Sequence, residues 1–391
     1  MPWPAALRFS GHTGPNPLHA DAPAAEVARP RTSVSLMASL DPSPPAAARY
    51  HGDQAVAPGM LDFAVNVRHA QPPEWLMQRL AARLPDLARY PSVEDVHRAQ
   101  DAVAERHGRA RDEVVPLAGA AEGFALLPNL RPARAAIIAP SFTEPAMALT
   151  AAGVRLHHVV LEPPFGLDGA LDGAAVPEDA DLVVVGNPTN PTSVLHTREQ
   201  LLALRRPGRI LVVDEAFADS VPGEPESLAG DSLPDVLVLR SLTKSWALAG
   251  LRVGYALGSP EVLGRLTARR AHWPVGTLQL TAIAACCAVE AVADAAADAV
   301  RLAELRTKMV VGLASVGADV VDGQAPFVLF RRPDAVQIRN SLQNKGIAIR
   351  RCDTFVGLDE QYLRAAVRRE WPLLVQAISE AVESKINGRH R

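Results

Sequence analysis

The amino-acid sequence predicts an α/β protein with two domains, a large one with a mostly parallel sheet and a smaller α+β domain at the C-terminal end. Short apolar runs recur from about residue 135 with helix-like stretches between them, and a βαββ pattern follows a long alanine-rich stretch. With 391 residues and 48% hydrophobic content, the chain is long and apolar enough to fill two cores.

The apolar runs of the large domain, expected at residues 49–275, are rich in valine, isoleucine and leucine. They do not alternate with polar residues, which is typical of strands covered on both faces. The predicted strands are Ala135–Ala139, Val154–Leu161, Leu182–Val185, Ile210–Val213, Val236–Leu239 and Val253–Leu257.

The C-terminal part, residues 276–391, is expected to hold an interdomain helix and the small domain. The alanine-rich stretch from Leu280 to about Val316 predicts one long helix or two. The elements predicted after it are a strand at Phe327–Phe330, a helix near Ala335–Lys345, a strand at Gly346–Arg350 and a strand at Tyr362–Val367.

Residues 1–48 combine many prolines with alanine, serine and glycine and show no apolar period, which predicts a disordered leader. We see no signal-peptide pattern and no uninterrupted apolar run of about 18 residues, so a soluble protein without a membrane span is expected. The three cysteines, Cys286, Cys287 and Cys352, predict neither a disulfide framework nor a metal site and fit a reducing cytoplasm.

The charge of the chain narrows the class of partner. A net charge of −3 and a pI of about 6.4 provide no diffuse positive field of the kind that nucleic acid or an anionic membrane surface requires. Small-molecule substrates are therefore the expected partners.

Polar side chains follow three of the predicted strands at the points where the strands end. In open α/β sheets ligands bind outside the carboxyl ends of the strands, so these segments are the candidate site. They are Gly186–Thr192, Asp214–Phe217 and Arg240–Lys244.

Lys244 is one of four lysines in an arginine-rich chain. A lysine close to apolar strands, between small hydroxyl residues, loses solvation, and its amine becomes a nucleophile for a carbonyl. The other lysines, Lys308, Lys345 and Lys385, lie where a solvated charge is the ordinary explanation. Taken alone, Lys244 is equally well explained as a surface lysine on a loop.

Asp214 directly follows an apolar strand, where a carboxylate needs a partner. A protonated pyridine nitrogen is one such partner, and a helix N-cap is the alternative. Ser241, Thr243 and Arg252 offer hydroxyls and a planar cation suited to a phosphate. The segment Gly119–Gly123 can open a helix whose free N–H groups point at an anion.

The segments 187–192, 214–217 and 241–255 together resemble the class I/II aminotransferases of pyridoxal-phosphate (PLP) fold type I, which have the aspartate-aminotransferase fold. The resemblance runs from about residue 50 to the end. Further matching stretches are Tyr50–Asp53, Leu61–Asn66, Arg89–Pro91, Cys352–Leu358 and Tyr362–Arg368.

The resemblance implies a site for pyridoxal 5'-phosphate, with residues 49–75 forming an arm near it. Lys244 would carry the cofactor covalently, and Asp214 would pair with its pyridine nitrogen. Asn190 would contact the ring oxygen, and Phe142, which alone would be read as a core phenylalanine, would stack on the ring. The residues implied to hold the phosphate are Ala120, Ala121, Ser241, Thr243 and Arg252.

The resemblance also implies a homodimer, in which Tyr90 reaches the cofactor phosphate of the neighbouring subunit. Arg364 matches the arginine that binds the substrate anion. Strand alternation agrees, because Arg364, Ala366 and Arg368 share one face while Leu363, Ala365 and Val367 share the other. Arg350 and Asn66 are further candidate substrate contacts.

Two positions depart from the family pattern. Ser193 stands where the family usually has glycine, which bears on the local turn. Phe217 replaces the tyrosine of many aminotransferases, so a hydrogen bond to the ring oxygen is missing. Together with His51–Asp53 and a second arginine at 350, Phe217 leads us to expect threonine-phosphate decarboxylase activity in cobalamin biosynthesis.

Other functions stay open at this point. The main alternatives are histidinol-phosphate aminotransferase and another amino-acid aminotransferase. An effector module of a transcription regulator would need a DNA-binding domain, for which residues 1–48 are too short and proline-rich. A non-catalytic relative is disfavoured because Lys244 and Asp214 are both retained.

Overall fold

The structure is a computed structural model that describes residues 50, 52–168 and 176–388. The predicted disordered leader and His51 lie outside the described residues. All described residues belong to one compact unit.

A seven-stranded sheet forms the centre of the molecule, with the strand order β2-β8-β7-β6-β5-β3-β4. The five strands from β7 to β4 are parallel, and β8 runs antiparallel to both of its neighbours. The strands are β2 (Val114–Leu117), β3 (Arg134–Ala139), β4 (Arg155–Val160), β5 (Leu182–Gly186), β6 (Ile210–Asp214), β7 (Val236–Ser241) and β8 (Gly254–Leu257).

The central strands of this sheet are buried on both faces, as the apolar runs predicted. On β5 and β6, Val183 and Leu211 belong to one hydrophobic core, while Val184 and Val212 belong to another on the opposite face. Successive side chains of a strand point to opposite faces, so an uninterrupted apolar run can serve both cores.

Helices cover this sheet and connect its strands. Several of them begin at polar caps; Ser92, for example, accepts a hydrogen bond from the Asp95 N–H. The helices before the small sheet are α1 (Glu74–Ala81), α2 (Val93–His107), α3 (Ala120–Leu126), α4 (Glu144–Ala151), α5 (Arg198–Ala203), α6 (Pro260–Thr267), α7 (Thr277–Cys286) and α8 (Val289–Ser315).

Two features of the sheet differ from a sheet that contains only the predicted strands, all of them parallel. The strand β8 is antiparallel because residues 242–253, which connect it to β7, form no crossover helix. The strand β2 was not predicted; it contains Pro116 and lies at the edge of the sheet, where a missing N–H is tolerated.

A four-stranded antiparallel sheet, in the order β12-β13-β10-β9, lies in the C-terminal part. A separate two-stranded parallel sheet joins β1 to β11. These elements are β1 (Leu61–Asp62), β9 (Asp319–Val320), β10 (Phe327–Arg331), α9 (Ala335–Asn344), β11 (Ile347–Ala348), β12 (Arg350–Arg351), β13 (Tyr362–Ala366) and α10 (Trp371–Gly388).

The predicted strand at 346–350 is divided in the structure. Its first part, β11, pairs with β1 of the predicted arm, and its second part, β12, pairs with β13. The alanine-rich stretch forms two helices: α7 packs into the core of the large sheet, and α8 contributes Ala291 to that core and Leu302, Met309 and Leu313 to the core of the small sheet. The domain boundary predicted at residue 275 stays a prediction.

Within the described ranges, no single helix has the length and apolar character needed to cross a membrane. The helices α7 and α8 meet that criterion only as a pair, with a bend of 68° between them.

Candidate active site

A cavity of about 590 Å³ lies at the carboxyl ends of β5, β6 and β7. Its volume is within the range of about 300–1,000 Å³ that is typical of small-molecule sites. Twelve of the thirteen predicted site residues line it. They are Asn66, Ala120, Ala121, Phe142, Asn190, Asp214, Ser241, Thr243, Lys244, Arg252, Arg350 and Arg364.

Lys244 lies in the turn that follows β7 and faces the cavity. Burial, assisted by the cations Arg252 and Arg364, lowers the pKa of its amine to about 8. The carbonyl oxygen of Lys244 accepts a hydrogen bond of 3.4 Å from the Arg68 N–H, which connects this turn to the predicted arm. The structure therefore places Lys244 in a site that favours the neutral, nucleophilic amine.

Asp214 ends β6 and lines the same cavity. Its Oδ1 accepts a hydrogen bond of 3.1 Å from the Ala216 N–H, and burial raises its pKa to about 7. The helix that follows β6 directly is a 3-10 turn at Ala218–Ser220 whose N-cap is Phe217, so Asp214 is not a helix N-cap. Among the residues that the structure describes, no basic side chain forms an ion pair with Asp214. Its carboxylate can therefore bind a cationic group of a ligand in the cavity.

Ser241, Thr243 and Arg252 line the cavity beside the start of α3. The Ser241 and Thr243 hydroxyls lie 2.7 Å apart, and the Arg252 Nη1 donates to the Ala249 carbonyl oxygen at 3.1 Å. A Cβ at Gly119 would come within 2.9 Å of the Arg252 Nη2, and the φ of Gly119 is +80°. Glycine at 119 therefore lets the guanidinium approach the start of α3, where free N–H groups favour an anion.

Aromatic rings form part of the cavity wall. The rings of Phe142 and Phe124 are 5.9 Å apart and tilted by 54°. On another wall, Phe217 is buried and meets Phe327 edge-on at 5.0 Å.

Arg364 stands on β13 and is 4% exposed. Its Nη2 donates to the Ala64 carbonyl oxygen at 2.7 Å and its Nη1 to the Asn190 Oδ1, while its guanidinium lies 5.0 Å from the centre of the Phe327 ring. Burial lowers its pKa to about 10. No carboxylate forms an ion pair with Arg364 in the described part of the chain, so it can receive an anion.

The side-chain alternation predicted for β13 is confirmed. Arg364 lines the cavity, whereas Leu363, Ala365 and Val367 belong to the core of the small sheet.

Arg350 lines the cavity but already uses both of its terminal nitrogens. Its Nη1 donates to the Arg351 carbonyl oxygen at 2.8 Å, and its Nη2 donates to the Tyr50 carbonyl oxygen and the Thr354 hydroxyl. Its guanidinium lies between the rings of Tyr50 and Phe355, 4.7 and 4.9 Å from their centres. Arg350 therefore ties the predicted arm to the small sheet.

Asn66 is buried beside the cavity, and its Oδ1 has no hydrogen-bond partner among the described residues. Tyr90 is the one predicted site residue outside the cavity. Its side chain is 73% exposed and stacks on Trp273 at 4.2 Å.

Sequence reasoning did not select several residues that line the cavity. Asp53 and Phe355 lie in segments that carried the family resemblance, which was the available signal. Thr143 and Glu144 follow Phe142 at the start of α4, and no motif pointed to them.

Sequence reasoning also missed a network of buried ion pairs that involves neighbours of the cavity-lining residues. Arg240, next to Ser241, pairs with Glu215, next to Asp214, at 2.9 Å, and it also pairs with Asp219 and Glu224. Although burial acts in the opposite direction, Arg106 and Arg240 lower the pKa of Asp219 to about 2. The network joins the ends of β6 and β7 through residues that are neighbours in sequence of the cavity-lining Asp214 and Ser241.

Comparisons with known proteins agree with this architecture. Residues 58–370 match the family described as aminotransferase class I and II. The chain is 78% identical over 344 residues to a histidinol-phosphate aminotransferase of Mycobacterium tuberculosis, covering 88% of this chain and 93% of the relative. It is 31% identical over 320 residues to the threonine-phosphate decarboxylase of Salmonella typhimurium, covering 79% of this chain and 87% of the relative.

A solved structure shares the fold. The histidinol-phosphate aminotransferase of Sinorhizobium meliloti in complex with pyridoxal-5'-phosphate has a TM-score of 0.72 at 21% identity, covering 82% of this chain and 90% of that one. The family match confirms the expected enzyme class, and the solved structure confirms the expected fold and itself holds pyridoxal-5'-phosphate, the expected cofactor.

The expectation of threonine-phosphate decarboxylase activity was wrong. The relatives at 78% identity are histidinol-phosphate aminotransferases, and the decarboxylase is a distant relative. The geometry explains why the sequence features misled. Phe217 packs edge-on against Phe327, and Arg350 donates to the Tyr50 carbonyl oxygen and the Thr354 hydroxyl, so each has a contact within the chain that the sequence does not show.

The family match spans most of the described residues, and one cavity brings together Lys244, Asp214 and Arg364. The chain therefore belongs to the class I and II aminotransferases.

Proposed function

We propose that this chain is a histidinol-phosphate aminotransferase, which exchanges an amino group between L-histidinol phosphate and a 2-oxo acid such as 2-oxoglutarate. The observation that carries the proposal is the 78% identity, over 88% of this chain, to enzymes with that name. The cavity supports it with Arg364, a buried arginine that forms no ion pair with a carboxylate among the described residues, because histidinol phosphate carries a phosphate for such a cation to bind.

The residues of the cavity fit pyridoxal phosphate. Asp214, a buried acid without an ion-pair partner among the described residues, would accept a hydrogen bond from the protonated pyridine nitrogen. Lys244 would hold the aldehyde carbon, Asn190 the ring oxygen and Phe142 the ring face. The groups that would hold the phosphate are Ala120, Ala121, Ser241, Thr243 and Arg252.

When bound, pyridoxal phosphate supplies an aldehyde that accepts the substrate amino group and a ring that withdraws electrons from the substrate Cα. After the substrate amine has replaced it on the cofactor, Lys244 would take a proton from the substrate Cα and pass it to the former aldehyde carbon of the cofactor during amino transfer. Its lowered pKa of about 8 increases the neutral fraction of the amine near pH 7 to 8. Lys244 is therefore suited to move a proton in both directions.

Arg364 is the group that would bind the substrate phosphate. It is held in place by the Ala64 carbonyl oxygen and the Asn190 side chain, so it loses little freedom when an anion binds. Asn66 would offer a further polar contact, and Arg350 would contribute through the position of the arm.

A homodimer completes the proposal. An exposed apolar surface, which we call the Tyr90 patch, comprises Leu84, Leu87, Tyr90, Val93 and Trp273. Tyr90 stacks on Trp273, and a cluster of exposed apolar side chains favours a protein contact. In the dimer Tyr90 would reach the neighbouring cofactor phosphate, and size-exclusion chromatography with light scattering would detect a monomer if this is wrong.

The three cysteines are buried and form no disulfide. This supports a cytoplasmic location, because free thiols persist in reducing compartments. Fractionation of cells that express the chain would test this location.

The direct test is to incubate the PLP-loaded enzyme with L-histidinol phosphate and 2-oxoglutarate and to measure glutamate. Formation of glutamate that depends on histidinol phosphate supports the proposal. Lys244→Ala is the inactive control. Glutamate formation with other amino donors but not with histidinol phosphate would refute the substrate assignment, and release of CO₂ from a phosphorylated amino acid would refute the reaction.

A further inference from the structure

Ser193 has an unusual backbone conformation for its residue type. Its φ is +68°, in the left-handed region that favours glycine, and the residue is 1% exposed. A non-glycine residue is kept in this region when the surrounding contacts require it.

Both oxygens of Ser193 bind one segment that leads into β10. The Ser193 Oγ accepts a hydrogen bond of 2.8 Å from the Ala325 N–H, and its carbonyl oxygen accepts one of 2.7 Å from the Gln324 N–H. A Cβ at Gly323 would lie 2.6 Å from the same carbonyl oxygen, so the two segments touch closely. The serine hydroxyl thus satisfies a backbone donor that would otherwise be buried and unpaired.

The two joined segments each carry a residue that holds Arg364. On one side, the Ser193 N–H donates to the Thr189 carbonyl oxygen at 2.7 Å and closes the turn that presents Asn190 to Arg364. On the other side, Phe327 lies two residues after Ala325 and forms the ring beneath the Arg364 guanidinium. Ser193 is therefore located between two of the supports of the proposed anion-binding arginine.

We propose that Ser193 is a positioning residue for the substrate: its hydroxyl fixes the Asn190 turn to the Gly323–Phe327 segment and thereby holds Arg364 in its anion-binding position. The inference rests on the proposed role of Arg364 in binding the substrate anion. Without the hydroxyl, the turn and the segment keep the bond between the Gln324 N–H and the Ser193 carbonyl oxygen but lose the one to Ala325, so the two supports of Arg364 are held together less tightly.

Two variants separate this role from general stability. Ser193→Gly removes the hydroxyl and suits the positive φ, whereas Ser193→Ala removes the hydroxyl and keeps the unfavourable φ. Ser259→Ala is the matched control, because the Ser259 Oγ also accepts a backbone N–H, that of Val262, but lies at the start of α6 away from the cavity.

For the PLP-loaded enzyme we expect both Ser193 variants to raise KM for L-histidinol phosphate by about three- to tenfold, the effect of one lost hydrogen bond, with kcat changed less. Inorganic phosphate should also stabilise both variants less than the wild type in thermal unfolding. Ser193→Ala should melt at a lower temperature than Ser193→Gly, and Ser259→Ala should change the melting temperature but not KM.

Wild-type KM and wild-type phosphate stabilisation in Ser193→Gly would overturn the inference, whatever its melting temperature. If the wild type does not act on histidinol phosphate, the proposed function fails by itself. In that case the KM for L-glutamate is measured instead, because its carboxylates are also anions. A rise of the same size in both Ser193 variants supports the positioning role of Ser193, and an unchanged KM refutes that role.

Discussion

Replacing Arg364 with methionine tests the proposed anion site most directly. Methionine keeps an unbranched, apolar side chain on the Phe327 ring and removes the charge. Burial lowers the pKa of Arg364 from 12.5 to about 10, which corresponds to a penalty of about 3 kcal/mol on the charged form. A substrate phosphate that pairs with the guanidinium can recover an energy of this order.

A loss of about 3 kcal/mol corresponds to roughly a 100-fold decrease in kcat/KM. We expect Arg364→Met to show this decrease for L-histidinol phosphate mainly through KM, because the phosphate is bound before and during the reaction. The affinity for pyridoxal phosphate should change much less. The folded protein without substrate should be as stable as the wild type or more so, since an unpaired buried charge is removed.

Steady-state kinetics would give KM and kcat, absorbance titration the affinity for the cofactor, and thermal unfolding the stability. Arg331→Met is the matched control, because Arg331 lies on the neighbouring strand β10 and is exposed. An unchanged KM, or an equal loss of affinity for substrate and cofactor, would show that Arg364 does not bind the substrate anion.

Three further predictions follow from the site. Lys244→Ala should lose turnover and the visible absorbance of the bound cofactor, whereas Lys308→Ala should keep both; activity in the first variant would refute the assignment. The folded-state pKa of Asp214 is raised from 3.8 to about 7, so it lowers the stability of the cofactor-free protein as pH rises from about 4 to 7. Thermal melts of Asp214→Asn should therefore lose less stability over this range than the wild type, and identical profiles would contradict the raised pKa. Arg240→Met should destabilise the protein by about 3–5 kcal/mol, because it leaves Glu215 buried without a cation and Asp219 with Arg106 alone, and an unchanged denaturation midpoint would count against this network.

The strands and the location of the site could be read from the sequence because both depend on local patterns. A continuous apolar run such as residues 182–185 can be buried on both faces wherever it lies in the sheet. The polar residues that follow the runs meet at one edge because the strands are parallel. The alternation on β13 likewise placed Arg364 and Leu363 on opposite faces before any contact was known.

The family resemblance supplied the cofactor and most of the site residues, but it did not decide the reaction. Phe217 differs from tyrosine by one hydroxyl. Whether that difference indicates decarboxylation depends on what surrounds the ring. In the structure the ring packs against Phe327, 110 positions further along the chain. The sequence does not show that Phe327 packs against Phe217, so Phe217 was interpreted as evidence for decarboxylation.

By itself, the sequence determined the α/β class, the apolar strands, the covalent lysine candidate and the family. The tertiary structure alone decided the antiparallel direction of β8, the division of residues 346–350 between two sheets, the ion pairs of Arg240 and the contact of Ser193 with Ala325. The physical reason is that local periodicity sets burial, whereas pairing and charge compensation depend on groups that are distant in sequence and meet only when the chain folds.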